Sequence, residues 1–303
     1  MSSSQNILFG ADSSSTIGTG HIMRDLVLAS QYKDANIIFA VQDLDGNINH
    51  KIKEVNYKIE IVKSNDIKEV NKLIKKYNID MIVIDHYGID FKYEKQLKKQ
   101  NKDLKILSFD DTYEKHHCDI LLNHNISGDK KRYKGLVPKD CELRCGSKHT
   151  LLREEFLIEK KKIYKKAKNK KTIFLAMGGA DHSNINIKIL KVLKRFKNVQ
   201  VNLVTTTANH NLKKLEKYCK NKKFINLHIN SNKIAKLMKK SDFAIVTPSV
   251  TLNEVYFMKL PFIAIKTASN QQDMYDYIKK EKKFVLKKFD KNKLKSMVYD
   301  KIN

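Results

Sequence analysis

Cysteine is scarce in this chain, arginine is rarer than the charge implies, and long apolar runs are missing. Only four cysteines, Cys118, Cys141, Cys145 and Cys219, occur in 303 residues. That number suits a reducing cytoplasm and argues against a disulfide-stapled scaffold. No run of 18 apolar residues occurs, and Met1-Ser2-Ser3-Ser4-Gln5 leads straight into an apolar segment. Neither a membrane span nor a secretory signal is therefore expected. Low-complexity segments and short-period repeats are also lacking. Lysine and arginine together number 60 against 33 acidic residues, a formal net charge of +27. Such a charge ordinarily points to nucleic acid or an anionic surface. Yet the arginines are only five: Arg24, Arg132, Arg144, Arg153 and Arg195. Proteins that read nucleic acid lean on the bidentate fork of arginine. Lysine, asparagine and isoleucine are abundant together, as an AT-rich coding sequence produces. The lysines also fall on polar faces of predicted helices, such as Lys72, Lys75 and Lys76, or Lys188, Lys191 and Lys194. A solvated basic surface is expected, with no nucleic-acid partner.

What is present is organised around Gly10–Asp25, GADSSSTIGTGHIMRD. Asn6-Ile7-Leu8-Phe9 before it reads as a buried strand, and Ile22, Leu26, Leu28 and Ala29 after it recur at helical spacing. A polar, glycine-broken turn thus joins the first strand to the first helix. Gly18 and Gly20 can adopt backbone angles closed to other residues and let a ligand approach the main chain. His21 falls in the first helical turn, at the positive end of the helix dipole. In an open α/β sheet ligands bind at that strand-to-helix edge, so His21 is a candidate general base; a histidine that merely caps or packs at the turn has the same spacing. Asp12, Ser14, Gly18, Gly20 and Arg24 of this stretch are candidate substrate contacts.

Further strands are predicted at Asn36–Val41 and Tyr57–Val62, and a helix opened by an Asp66 cap over Asp66–Tyr77. Asp80–Asp85 is almost wholly apolar, a strand covered on both faces, and it runs into Asp85-His86-Tyr87-Gly88. Leu104–Phe109 ends in Asp110-Asp111, and Asp119–Asn123 ends in Asn123-His124-Asn125. Four strands deliver polar residues to one edge, a stronger sign of a site than any single motif.

Composition shifts over the lysine-rich Glu159–Lys171, the candidate boundary between domains 1–155 and 171–303. The alternation then restarts, with strands at Thr172–Ala176, Val199–Val204, Phe224–His228, Asp242–Val246 and Pro261–Ile265. Helices fall near Asn184–Phe196, Asn211–Cys219, Lys233–Lys239 and Val250–Met258. Two successive βα arrays predict an α/β protein of two Rossmann-like, doubly wound domains with a cleft between them. The first strand of the second array runs into Met177-Gly178-Gly179-Ala180-Asp181, where free backbone N–H groups could cradle a phosphate; any tight turn could use the same glycine pair. Thr247–Glu254 is another strand-to-helix turn, and its Glu254 could hold the two hydroxyls of a ribose. A capping box from Thr251 to Glu254 has the same spacing. His116-His117-Cys118 and Cys141-x-x-x-Cys145 supply five possible metal ligands, but their spacing matches no paired Cys-x-x-Cys pattern. Cys118 is better read as a small core residue, and no metal or other cofactor is expected.

Four segments, DSSSTIGTGHIMRDLVLA, IDHYGI, ILSFDD and HHCDILLN, resemble the nucleotide-sugar hydrolases of pseudaminic acid biosynthesis. GLVPKDCELRCG, LLREEF, MGGADHSN and Asn253-Glu254 extend the resemblance over nearly the whole chain, thinning after about Asn270. That family acts on UDP-2,4-diacetamido-2,4,6-trideoxy-β-L-altropyranose and is built like the two-domain (GT-B) glycosyltransferases of the lipid II GlcNAc-transferase type. The resemblance implies that water attacks the anomeric carbon and releases UDP without a metal. His21 matches the catalytic histidine and Tyr87, in Asp85-His86-Tyr87-Gly88, the active-site tyrosine. Met177-Gly178-Gly179 matches the diphosphate cradle, and Asn253-Glu254 the stretch that holds ribose and phosphate. Asp85 and His86 join the substrate contacts by the same motif. Val250-Thr251 and the tail from Lys283 depart from the pattern, which bears on nucleoside contacts and tail packing but not on the chemistry.

The expected reaction is a single inverting displacement. An imidazole ordinarily titrates near neutrality and can take the proton of water. Tyr87 would position water or sugar, and backbone N–H groups at Gly178–Ala180 would stabilise the departing diphosphate. The expected protein is a cytoplasmic monomer acting on a UDP-sugar. A glycosyltransferase of the same fold is the rival among enzymes, and a basic nucleic-acid-binding module the rival outside them.

Overall fold

The computed structural model describes residues 4–165, 169–179, 181–281 and 284–302. The chain divides into two compact units, Met1–Leu151 and Leu152–Asn303.

The first unit alternates β1 (Asn6–Ala11), α1 (Gly20–Ala29), β2 (Asn36–Val41), α2 (His50–Glu54), β3 (Lys58–Ile61), α3 (Ile67–Tyr77), β4 (Met81–Asp85), α4 (Phe91–Gln100), β5 (Lys105–Phe109), β6 (Ile120–Asn123) and β7 (Glu142–Cys145). Among the described residues its strands form one parallel sheet in the order β3-β2-β1-β4-β5-β6-β7. The chain leaves β1 toward one side of the sheet and β4 toward the other. These two strands lie side by side with Ala11 paired to Asp85, so their carboxyl ends flank the point where strand order reverses. A crevice opens there in doubly wound sheets because the following loops diverge.

Both faces of the sheet are covered, which is why its strands are almost continuously apolar. Alternate residues serve opposite faces. Leu8, Ile38, Ile82 and Ile106 pack with Val70, Leu73 and Ile74 of α3 and Leu97 of α4. Ile7, Phe9, Phe39 and Val83 pack with Ile22 and Leu28 of α1 and Ile52 of α2. Asp66 stands at the N-cap position of α3 without a capping hydrogen bond. The expected cap is not made, because the carboxylate accepts from the Ser64 hydroxyl instead (2.7 Å). Asp90 does cap α4, accepting from the amides of Lys92 and Tyr93. The sequence pattern marks neither α4 nor β7.

The second unit runs α5 (Glu154–Lys161), β8 (Lys171–Ala176), α6 (Asn186–Leu193), β9 (Val199–Thr205), α7 (Leu212–Cys219), β10 (Ile225–Ile229), α8 (Ile234–Lys240), β11 (Phe243–Val246), α9 (Val250–Phe257), β12 (Phe262–Ile265), α10 (Gln272–Lys280), β13 (Phe284–Leu286) and α11 (Lys291–Ile302). Among the described residues its strands are again all parallel, in the order β10-β9-β8-β11-β12-β13. The reversal point lies between β8 and β11, where Ala176 pairs with Val246. Ile173, Leu175, Val201 and Ile245 pack with Ile189 and Leu193 of α6 and with Leu294 and Val298 of α11. The division of the chain precedes the lysine-rich run because α5 packs on α8: Glu155 accepts from the Ala235 amide (3.3 Å), and the Lys160 carbonyl accepts from Lys239 (2.8 Å). Among the described residues no helix is long and apolar enough to cross a membrane.

Candidate active site

The turn after β1 is built by its own polar side chains. Ser14 and Gly18 exchange backbone hydrogen bonds (3.3 and 2.9 Å). The Ser14 hydroxyl accepts from the amides of Thr16 and Ile17 (3.2 and 2.9 Å). Gly18 has φ +88, a left-handed conformation that a side chain disfavours. Gly20 is different: it opens α1 without a positive φ, and a Cβ built on it meets no atom within 4 Å. The expectation of an unusual backbone therefore holds for Gly18 alone. What Gly20 provides is open space.

This turn sets His21 as the second residue of α1, facing the end of β4. Its Nδ1 lies 2.7 Å from Asp85 Oδ1, and both residues are buried. Arg24, one helical turn later, grips the same carboxylate with Nε on Oδ2 (2.5 Å) and Nη2 on Oδ1. Nη2 also lies 3.1 Å from His21 Nδ1. Because the guanidinium fork already engages both Asp85 oxygens, the carboxylate is the acceptor that fixes a proton on Nδ1, leaving Nε2 with a free lone pair. Desolvation alone would raise the Asp85 pKa; the charge and hydrogen bonds of Arg24, then the bond to His21, hold it well below the usual carboxylate range. Asp85 thus stays ionised and can stabilise an imidazolium.

Tyr87 follows two residues after Asp85. Its ring stands edge-on to His21 at 5.2 Å between centroids, and its hydroxyl donates to Asp111 Oδ1 (3.1 Å) just beyond β5. Asp111 also accepts from Asn125 (3.4 Å) after β6. Desolvation, then the Asp111 charge, raise the Tyr87 pKa, so the phenol remains protonated. His86 accepts the Gly88 amide on Nδ1 (2.9 Å) and turns Nε2 toward Asp12, 3.8 Å away. Asp12 itself is buried and accepts from the Gln42 amide, the Gln42 side chain and Asn65 (2.7 Å each). Its carboxylate braces β1 against the ends of β2 and β3.

Sequence reasoning assigned no role to two buried titratable groups beside this cluster, Asp25 and the His124 it placed at the end of a strand. Asp25 has no exposed surface, and neither carboxylate oxygen has a hydrogen-bond partner among the described residues. His124, after β6, is equally buried with both ring nitrogens unpartnered; burial, then Arg24, lower its pKa to about 3. The signal for Asp25 is an acid on the apolar stripe His21, Ile22, Leu28 and Ala29 of α1, where a charge is out of place.

In the second unit, Met177 follows the last residue of β8, and its side chain is buried in the core; only its backbone is available to a ligand. Gly178 has φ +80, and a Cβ there would meet nothing within 4 Å. A Cβ on Gly179 would meet Thr206 Cγ2 at 2.9 Å, so a larger residue here would displace the Thr206 side chain just after β9. Ala180 lies outside the described residues, as does Lys283. Beside this turn, α9 begins with Ser249 as N-cap and makes no side-chain cap bond. The capping-box alternative for Glu254 is thereby excluded: its Oε1 accepts from Arg153 Nη2 (3.1 Å). Burial pushes Glu254 up to about 7 against the opposing charge of Arg153. Asn253 is buried next to it. Arg153, in turn paired with Glu155 (2.6 Å), is the second unit's residue that sequence reasoning left without a role.

Of the five possible metal ligands, His116, Cys118 and Cys141 have other side-chain neighbours. His116 Nδ1 pairs with the fully buried Glu94 (2.8 Å), which also accepts from Ser108 (2.6 Å) and the His117 amide (2.5 Å). Cys118 is a buried core residue with its sulfur 3.8 Å from that of Cys141. Among the described residues no group of three or more His, Cys, Asp and Glu side chains could hold a metal ion.

No protein-family model matches the chain. Among solved structures it is similar to MurG of Acinetobacter baumannii, with a TM-score of 0.64 and 11% identity over 99% of this chain and 91% of that one. The glycotransferase of kitacinnamycin gives a TM-score of 0.67 and 10% identity over 98% and 90%. At such identities the likeness speaks for the fold: the chain has the two-unit, parallel-sheet architecture of the GT-B glycosyltransferases, with a histidine–aspartate pair at the carboxyl edge of the first sheet. The sequence narrows this further. The chain is 42% identical, over 91% of its length and 96% of the relative's, to the UDP-2,4-diacetamido-2,4,6-trideoxy-beta-L-altropyranose hydrolase of Campylobacter jejuni. It belongs to that hydrolase family.

Proposed function

We propose that this protein hydrolyses UDP-2,4-diacetamido-2,4,6-trideoxy-β-L-altropyranose to UDP and the free sugar, with His21 as the general base. The observation that carries the reading is the His21–Asp85 pair, in a chain 42% identical to a hydrolase of that substrate. Water attacks the anomeric carbon while His21 Nε2 takes its proton, and the bond from that carbon to the diphosphate oxygen breaks. Asp85, held ionised by Arg24, stabilises the imidazolium that forms. Tyr87, tied to Asp111, borders the imidazole and positions water or sugar. Gly178 and Gly179 cradle the diphosphate with main-chain N–H groups, which stabilise the charge growing on the leaving oxygen. Asn253 and Glu254 hold the ribose.

The same reading makes the protein a cytoplasmic enzyme of pseudaminic acid biosynthesis that needs no metal. The test is to incubate it with the UDP-sugar alone, in the presence of a chelator, and to follow UDP. Stoichiometric UDP and free sugar without any acceptor are expected. UDP that forms only when an acceptor sugar is added would mark a glycosyltransferase and overturn the reading.

A further inference from the structure

Asp25 lies four residues after His21 among the buried residues of α1, within side-chain hydrogen-bonding reach of Asp85. The charged groups that act on it are Asp85 at the end of β4 and Arg24 of its own helix; the same two act on His124 beyond β6. Arg24 is the cation of this group, and its fork engages both oxygens of Asp85. His124 is neutral, because burial disfavours its charged form. No hydrogen-bond donor reaches either oxygen of Asp25 among the described residues. An ionised Asp25 would therefore be a second negative charge beside Asp85, without a protein donor of its own among the described residues. Two carboxylates so placed do not both ionise, and an uncompensated buried charge costs several kcal/mol. Burial, then the charge of Asp85, raise the Asp25 pKa well above the usual carboxylate range, with Arg24 opposing. Arg24 and His21 favour the ionised form of Asp85, so the proton belongs to Asp25.

We propose that Asp25 is a positioning residue: it keeps its proton in the folded protein and donates it to Asp85, limiting the negative charge that Asp85 offers to His21. The protonated acid turns an unpartnered buried group into a donor for the acceptor beside it, which gives one of its two bare oxygens a partner and removes the charge from the other. It also tempers the base. If the hydrogen bond from Asp25 is lost, Asp85 attracts the imidazolium more strongly and His21 releases its proton less readily.

The inference rests on His21 being the base, and its test separates the two claims. Infrared difference spectra of wild type against Asp25→Asn at neutral pH should show the carbonyl stretch of one protonated carboxylic acid, lost in the variant. The acid limb of the kcat/KM profile should stay in place in Asp25→Asn, which keeps a donor and the same charge. In Asp25→Ala it should move up by about one pH unit, the worth of one hydrogen bond to a carboxylate. Absence of the carbonyl band, or a limb that moves down in Asp25→Asn as when a negative charge is removed, would overturn the proposal. Should Asp25→Ala fail to fold, the Asn variant and the infrared band decide alone. The two failures are distinguishable: a missing band strikes the proton on Asp25, whereas undiminished turnover in His21→Asn strikes the base and with it the purpose of that proton.

Discussion

His21 and Glu254 place their titratable groups in opposite settings, and their variants should differ accordingly. If His21 is the base proposed above, it acts through the ring nitrogen that does not face Asp85, and His21→Asn removes proton transfer while filling similar space. Turnover should fall by about 10²–10⁴-fold with UDP affinity intact, as steady-state kinetics beside calorimetric titration will read. Glu254 is a largely but not fully covered carboxyl whose pKa is pushed up to about 7. Ribose hydroxyls donate to a carboxylate, so UDP binding selects the ionised form. UDP affinity should therefore climb as pH rises through about 7 and binding should release protons, both effects vanishing in Glu254→Gln. In the unliganded protein the sign is reversed. A carboxyl raised on folding adds stability that is fully present below its ordinary pKa of roughly 4.3 and is lost as pH rises through about 7. A UDP affinity flat across that range would remove Glu254 from the ribose.

At the scale of elements, the Glu94–His116 pair joins α4 to the segment between β5 and β6. Desolvation opposes a charge on His116, but Asp110 and Glu94 outweigh it and raise its pKa to about 10. A histidine raised on folding contributes stability that is fully present below its ordinary value of roughly 6.5 and is lost as pH rises through about 10. Asp110 is shifted the other way: desolvation would raise it, yet His116, Tyr133 and Thr112 hold it below the usual range. Its contribution is present above an ordinary carboxylate pKa of roughly 3.9 and is lost as pH falls below that. His116→Ala leaves Glu94 buried without its cation and should cost about 3–5 kcal/mol, read as a lower denaturation midpoint. The loss should shrink toward pH 10, where wild type surrenders the same interaction. A pH-independent difference would mark the pair as mere packing.

For the molecule as a whole, the question is which bond breaks. Nucleotide hydrolases that attack phosphorus commonly use a divalent metal to neutralise the phosphate oxygens. Here the candidate base is an imidazole paired with aspartate, and the candidate phosphate contacts are glycine turns of the other unit. On the proposed function, cleavage between the anomeric carbon and its oxygen is expected, with inversion at that carbon. In ¹⁸O-labelled water the label should enter the free sugar and be absent from UDP, as mass spectrometry of both products will show. Label in UDP would rule out the mechanism and His21 as its base.

By itself the sequence determined the βα alternation, because parallel strands covered on both faces are almost continuously apolar, as β4 is up to its closing Asp85. It also placed His21 at a strand-to-helix turn and polar residues at the ends of β1, β4, β5 and β6. It was silent where burial is polar or amphipathic. In α4, FKYEKQLKKQ, the buried residues are Glu94 and Leu97, and an acid reads as solvent-facing until its partners are known. The same limit made His116 and Cys118 resemble metal ligands and left Asp25 unremarked. Only the tertiary structure decided that β1 lies beside β4, which brings Asp85 to His21 across 64 residues, and that Arg153, not a capping box, holds Glu254. Local spacing sets the period of each element, but which side chains share a proton depends on strand order and burial, and those arise only when the sheet assembles.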